Sequence, residues 1–335
     1  MPILTVIMPS YNKEKYIAQA LDSVFMQETS YDYQIIVADD CSSDKTIEIV
    51  KSYQAKYPQK IILLTSDTNQ KLYRNVLRAY AVTKTDYFCV LDPDDFWTDK
   101  YKIQKALDFL EKHHEYTIYV TDTLLQLPDG RQKPFLKRKK IIDSVWTDFL
   151  HASAATGHTT GSVFRNVVFK HGLPEKMQHL QVPSQEHSFR GDSFRTALHL
   201  HEGKAHCVPE TDAVYRITSE GIWQGASYLE RSLLNANFFK DTWLFFNKEN
   251  PELLYLSRAV LASVRTMIPL FLLSCQKQKK QQDIFLQLAD LNRLYQENKN
   301  AINQVKNQIK LSMRHRLQIV FCNTLHYYLH LRGLI

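Results

Sequence analysis

The strongest constraint on the fold is an alternation, between Leu4 and Leu91, of short apolar runs with stretches of helical periodicity. Leu4–Met8, Tyr33–Ala38, Ile61–Leu64 and Tyr87–Leu91 read as strands, and Lys13–Gln27, Lys45–Tyr57 and Tyr73–Thr83 as helices. Alternation at this spacing builds an α/β fold with a mainly parallel sheet and helices on both faces. In such sheets ligands bind beyond the carboxyl ends of the strands. Four polar clusters fall at those ends: Pro9-Ser10-Tyr11-Asn12, Asp39-Asp40-Cys41-Ser42-Ser43, Ser66-Asp67-Thr68-Asn69 and Asp92-Pro93-Asp94-Asp95. The topology predicts that they converge on one crevice.

What the crevice can hold follows from what is missing. No glycine precedes Gly130. That excludes both the G-x-G-x-x-G dinucleotide turn and a phosphate-cradling G-x-x-x-x-G-K-[ST] loop in the sheet region. Side-chain chemistry remains. Asp92, Asp94 and Asp95 put three carboxylates within four residues, and they repel one another unless a cation sits among them. Turn residues capping the next helix would read the same way. A divalent Mg²⁺ or Mn²⁺ ion suits the cluster and would neutralise a diphosphate. Tyr11 offers a flat face for a nucleobase and Asp40 an acceptor for a base N–H; the plainer readings are a packed aromatic and a helix cap. Together they suit a nucleoside diphosphate attached to a leaving group.

At 335 residues with 44% apolar content, the chain can form one large domain or a domain with an appendage. Its five cysteines lack C-x-x-C spacing, which predicts a reduced, cytoplasmic protein. The first nine residues read as a strand and not as a secretory signal, and the longest apolar stretch, Met267–Cys275, is far short of a bilayer span. Charge marks a boundary: from Tyr228 onward there are 15 Lys+Arg against 7 Asp+Glu, and before it 27 against 28. Gly333 is the one glycine after Gly225. We therefore expect an α/β domain over residues 1–227 and an α-helical region over 228–335. Within the latter, Val305, Ile309, Met313, Leu317 and Val320 recur at helical spacing, with Lys306, Lys310 and Arg314 on another face. This basic amphipathic helix would contact an anionic membrane surface. The competing arrangement packs it on Tyr228–Phe246 and Leu253–Leu273, or on a second copy in a homo-oligomer. A basic nucleic-acid-binding protein would need interleaved aromatic and basic residues, which the tail lacks.

The motifs I-M-P-S-Y-N-K (Ile7–Lys13), V-A-D-D-C-S-S-D (Val37–Asp44) and D-P-D-D (Asp92–Asp95) resemble those of the inverting family 2 glycosyltransferases with the Rossmann-like GT-A fold, over roughly the first 225 residues. The resemblance implies that Pro9, Tyr11 and Asp40 hold the nucleobase, usually uracil, with Asn12 on the same donor side. It implies Asp92 near the ribose and Asp94 with Asp95 as metal ligands. Asn69 and Arg74 fall where the family has an N-x-G segment followed by a basic residue, but Lys71 stands where glycine is usual.

An inverting transferase needs one carboxylate base opposite the departing nucleotide. By resemblance this is Asp192, about a hundred residues past the metal cluster, with Gly191 in place of the usual acidic neighbour and Glu186 as the reserve candidate. His158 and Thr159, in T-G-H-T-T-G-S, are assigned to the wall of the sugar and acceptor pocket. Arg216 is expected to clamp the diphosphate and Trp223 to stack on a sugar, from a loop resembling one in capsule and lipopolysaccharide transferases. The implied reaction moves a sugar from a nucleotide-sugar donor, a UDP-sugar, to a glycan or lipid-linked glycan acceptor of a bacterial surface polysaccharide at the inner face of the membrane. A sugar nucleotidyltransferase is the alternative, and it would normally bring a glycine-rich phosphate loop.

Overall fold

A computed structural model of the chain describes residues 1–218, 226–275 and 281–305. The chain divides into two compact units. One is built from Met1–Phe149, Ala154–His179 and the stretch from Arg190 into the last strand; the other from Leu150–Ser153, Leu180–Phe189 and three long helices.

The first unit opens with β1 (Leu4–Ser10), α1 (Ile17–Phe25), β2 (Tyr33–Asp39), α2 (Thr46–Lys56), β3 (Ile61–Leu64), α3 (Lys71–Val82) and β4 (Tyr87–Val90). Thus each apolar run forms its strand. Helix α1 starts later than its periodicity suggests, because residues 14–16 are turns and the N–H groups of Lys13 and Glu14 donate to Thr46 Oγ1 and Asp44 Oδ2 across the next loop. Then come β5 (Phe96–Trp97), α4 (Lys102–Lys112), β6 (Tyr116–Gln126), β7 (Gln132–Pro134), β8 (Ile142–Ser144) and α5 (Trp146–Leu150). A 3-10 turn at Thr159–Gly161, β9 (Ser162–Arg165), α6 (Glu175–Gln178), α8 (Asp192–Glu202) and β10 (Lys204–Arg216) complete it, and α7 (Gln185–Ser188) belongs to the second unit.

The ten strands form one sheet, ordered β3-β2-β1-β4-β9-β6-β10-β5, with β7 beside β6 and β8 beside β10. Strands β1 to β4 are parallel, as are β6 and β10; β9 runs antiparallel between β4 and β6. All seven residues of β1 are buried, as expected of a central strand covered on both faces. Leu4, Val6 and Met8 share a core with Ile17, Leu21 and Val24 of α1 and Ile103, Leu107 and Leu110 of α4. Where β9 inserts, Phe88 faces Phe164 in register and their rings stack at 5.1 Å.

Polar groups also enter this interior. Lys102 Nζ lies 2.9 Å from both carboxylate oxygens of Asp212, and Thr121 donates to Asp212 Oδ1 at 2.6 Å. The cluster joins α4, β10 and β6. Burial pushes the Asp212 carboxyl up, and Lys102 pulls it back down.

In the second unit, α9 (Tyr228–Phe245), α10 (Pro251–Cys275) and α11 (Gln281–Val305) pack through Leu229, Ala236, Leu261, Val264, Leu291 and Leu294. Ser227 and Glu230 close a capping box on α9. Asp241 of α9 accepts from Ser184 and Ser188, which ties α7 to these helices. The described part of the C-terminal region is thus helical. The amphipathic stretch beyond Val305 lies outside the described residues, and no helix among the described residues is long and apolar enough to cross a membrane.

Replacing Lys102 leaves Asp212 buried without its counter-charge. Lys102→Met is expected to lower the unfolding free energy by about 3–5 kcal/mol in urea titrations, and adding Asp212→Leu should recover much of that loss.

Candidate active site

The loops after β1, β2 and β3 are stitched together by hydrogen bonds. Asn12 N donates to Ser42 Oγ at 2.8 Å, and Asn12 Oδ1 accepts from Ser43 N at 2.9 Å. Asp39 accepts from both the N–H and the hydroxyl of Ser42. Asp40 N donates to Ser10 O, and Asp40 Oδ1 accepts from Gln70 N at 2.7 Å. From α3, Asn75 donates to Ala38 O and Arg78 to the carbonyls of Asp39, Leu64 and Thr65. Pro9 is buried in β1, and Tyr11 presents an exposed ring just past its end.

A non-glycine residue occupies the left-handed region in each of the first two loops, Asn12 at φ 52° and Cys41 at φ 65°, and a third, Lys71 at φ 69°, opens α3. Such strain persists only where surrounding contacts fix it. At Lys71 the backbone keeps the conformation that glycine would adopt freely, with its N–H held by Asn69 Oδ1 at 3.0 Å. Arg74 follows on α3 and is exposed.

The acidic cluster after β4 separates into three roles. Asp92 is half-buried; burial and then the charge of Asp94 push its carboxyl up to about 6. Asp94 Oδ2 sits 2.6 Å from Lys13 Nζ. Asp95 turns inward, only 2% exposed, with Oδ2 accepting from Thr160 Oγ1 at 2.6 Å and Oδ1 from Arg216 N at 2.9 Å. Burial and the neighbouring Asp92 raise its carboxyl well above the usual range. Both Asp95 oxygens thus accept a hydrogen bond from the protein, while Asp94, its expected companion at a metal, meets Lys13.

Arg216, expected to clamp a diphosphate, is held by groups of the protein. Its guanidinium donates to Asp94 O at 2.8 Å and to Gln19 Oε1 at 2.7 Å, between the rings of Tyr16 and Phe96. It braces the acidic loop. Thr159 Oγ1 likewise accepts from buried Arg195, which also donates to Tyr80 Oη at 2.9 Å.

Burial pushes His158 down to about 4, so the ring is neutral near pH 7. Its Nδ1 accepts from Thr160 N, which leaves the proton on Nε2, and the ring stacks on Tyr215 at 4.1 Å. Asp192 opens α8 and is half-buried, in the positive field of the helix N-terminus. Its charge acts on Asp92, His158 and Arg195, and so brings the predicted base within electrostatic reach of the acidic cluster. Glu186, the reserve candidate, lies on α7 in the other unit. Trp223 lies outside the described residues.

Lys13, Gln19, Arg78, Thr160 and Arg195 escaped the sequence reading. Lys13 stood inside a quoted motif and Arg195 one helical turn from Asp192, but neither spacing says which partner the side chain meets. Among the described residues no group of three or more His, Cys, Asp or Glu is arranged to hold a metal. Asp94, already drawing a cation in Lys13, and the crowded Asp92 are the carboxylates suited to one. A Mg²⁺-type ion fits such a pair, since it takes one or two carboxylates and completes its shell from water and substrate phosphates.

A mainly parallel sheet flanked by helices, with acidic and aromatic groups at its carboxyl ends, is the architecture of the GT-A fold. Residues 5–171 match the family model described as glycosyl transferase family 2, and the chain belongs to that family. An uncharacterized protein of Mycobacterium tuberculosis is 28% identical over 232 residues, 68% of this chain and 62% of its own length; the chain thus spans less than two thirds of that relative. The poly(ribitol-phosphate) beta-N-acetylglucosaminyltransferase TarS of Staphylococcus aureus is 32% identical over 118 residues, 35% of this chain and 20% of TarS. The structure of TarS residues 1–349 with UDP superposes with a TM-score of 0.55 at 16% identity, covering 98% of this chain and 91% of that one, and it has also been solved with UDP-GlcNAc. The dTDP-rhamnosyl transferase RfbG of Shigella flexneri is 32% identical over 130 residues, 37% of this chain and 44% of RfbG.

Lys71→Gly should leave the fold unchanged and raise the unfolding free energy by about 0.5–1 kcal/mol, the left-handed penalty less the entropy that glycine costs. A shift in the urea midpoint measures it.

Proposed function

We propose that this chain is an inverting glycosyltransferase that moves a sugar from a nucleotide diphosphate, a UDP-sugar, to a hydroxyl of a surface-polysaccharide acceptor, working in the cytoplasm. One observation carries the reading. Asp92 and His158 each lie within reach of the charges of Asp94 and Asp192, in the unit whose strand ends also carry Tyr11 and Asp40. The UDP and UDP-GlcNAc complexes of TarS support the nucleotide, and the dTDP-sugar named for RfbG marks the runner-up donor class.

In this reading Tyr11 stacks on the base, Asp40 accepts a base N–H through its second oxygen, and Asp92 faces the ribose. Pro9, Asn12 and Asn69 shape the donor wall, with Arg74 beside it. A divalent ion held by Asp94 and Asp92 would neutralise diphosphate charge. Asp192 takes the proton of the acceptor hydroxyl as that oxygen bonds to the anomeric carbon. The carbon–oxygen bond to the diphosphate breaks on the opposite face, the electron pair leaves with the nucleotide, and configuration inverts. Neutral His158 offers its Nε2–H to a sugar hydroxyl on the pocket wall. Asp95, Arg216 and Arg195 touch no substrate; they fix the loop and the base. The acceptor region is assigned to the helices that follow residue 227.

Calorimetry with UDP tests the donor site: Asp94→Asn should lose the part of UDP binding that depends on Mn²⁺, whereas indifference of the wild type to UDP overturns the reading. Asp192→Asn should lower the transfer rate by about a hundred- to ten-thousandfold while UDP affinity stays within twofold of wild type, roughly the limit of additivity between separate sites.

A further inference from the structure

Between Gly130 and Ile142 the chain carries six Lys or Arg and no acidic residue. Phe135, Leu136, Ile141 and Ile142 in the same segment are 41%, 43%, 56% and 37% exposed, four of the eleven exposed large hydrophobics among the described residues. Arg131 pairs with Asp129, and Arg138 turns inward to the carbonyls of Val208 and Thr156. Lys133, Lys137, Lys139 and Lys140 have no ion-pair partner among the described residues. The segment is fixed to the sheet: Asp122 accepts from Leu136 N and Arg138 N, and Phe135 N donates to Thr123 O at 2.7 Å. It also reaches the candidate site, because the Phe135 ring meets His158 edge-on at 5.7 Å and Tyr215 at 6.2 Å.

Four unneutralised lysines interleaved with exposed aliphatic side chains call for a partner that is anionic and apolar at once. A soluble polyanion would satisfy the lysines and leave Leu136, Ile141 and Ile142 in water. An anionic bilayer answers both, with headgroup phosphates on the ammonium groups and acyl chains on the aliphatics. We propose that residues 131–142 dock this protein on an anionic membrane surface and hold the His158 wall of the crevice there. This assigns the contact to the sheet unit, whereas the sequence pattern pointed to the stretch beyond Ile302.

The test is co-sedimentation of the full-length protein with phosphatidylcholine vesicles with and without phosphatidylglycerol. Wild type should sediment with the anionic vesicles alone and be released by high salt. Two variants probe the two halves: Lys133→Glu/Lys137→Glu/Lys139→Glu/Lys140→Glu, and Leu136→Ser/Ile141→Ser. Each should weaken vesicle binding at least about tenfold with an unchanged thermal midpoint. Failure of wild type to bind, or wild-type binding by either variant, overturns the proposal; the second result would hand the contact to another part of the chain. If only the lysine variant is affected and soluble polyphosphate displaces the wild type, the surface serves a dissolved anionic polymer instead.

Discussion

The arrangement of the crevice depends on one buried carboxylate. Asp95 accepts from Thr160 and from the backbone of Arg216, groups 65 and 121 residues away in sequence. A carboxylate removed from water is costly unless its oxygens are engaged, so the loop after β4, the turn at Thr159–Gly161 and the end of β10 must come to this point for the fold to be stable. Once they do, Asp94 meets Lys13 and His158 is set against Tyr215. Arg216 fastens the arrangement from outside through Asp94 O and Gln19. The exposed polar groups of these loops are positioned by groups that face the protein.

Much of the sheet was legible because parallel strands buried on both faces leave continuous apolar runs, as in β1 and β4, and because edge strand β3 is apolar throughout despite its exposed Ile62. Their carboxyl-end clusters then followed from topology. The insertion of β9 against β4 was not legible, since antiparallel pairing of Val163 and Phe164 with Cys89 and Phe88 depends on contacts more than seventy residues apart. Strand β10 was hidden for a related reason: its mixed burial and its register shifts against β6 break any simple period.

Within the site, sequence showed which residues had suitable chemistry but not where they point. Spacing in D-P-D-D treats Asp94 and Asp95 alike; tertiary contacts send one toward Lys13 and the other inward. The same limit applies to Arg216 and Thr159, whose donor and acceptor groups are used by Asp94, Gln19 and Arg195. The place of Asp192 at the start of a helix was legible because the apolar period of that helix is local. Lys71 shows a different case. Departure from the glycine usual in the family did not change the backbone, since Asn69 and the adjoining loop impose the left-handed turn on a lysine.

The glycine-free stretch before Gly130 has a bearing on the denatured chain. Glycine is the residue that widens an unfolded ensemble most. Its absence over the whole stretch that carries β1 to β4 means that fewer conformations are surrendered when these strands assemble. Tight turns with side chains in place of hydrogens make the strand-end loops a stiff mould, whose contours are cast as the sheet forms.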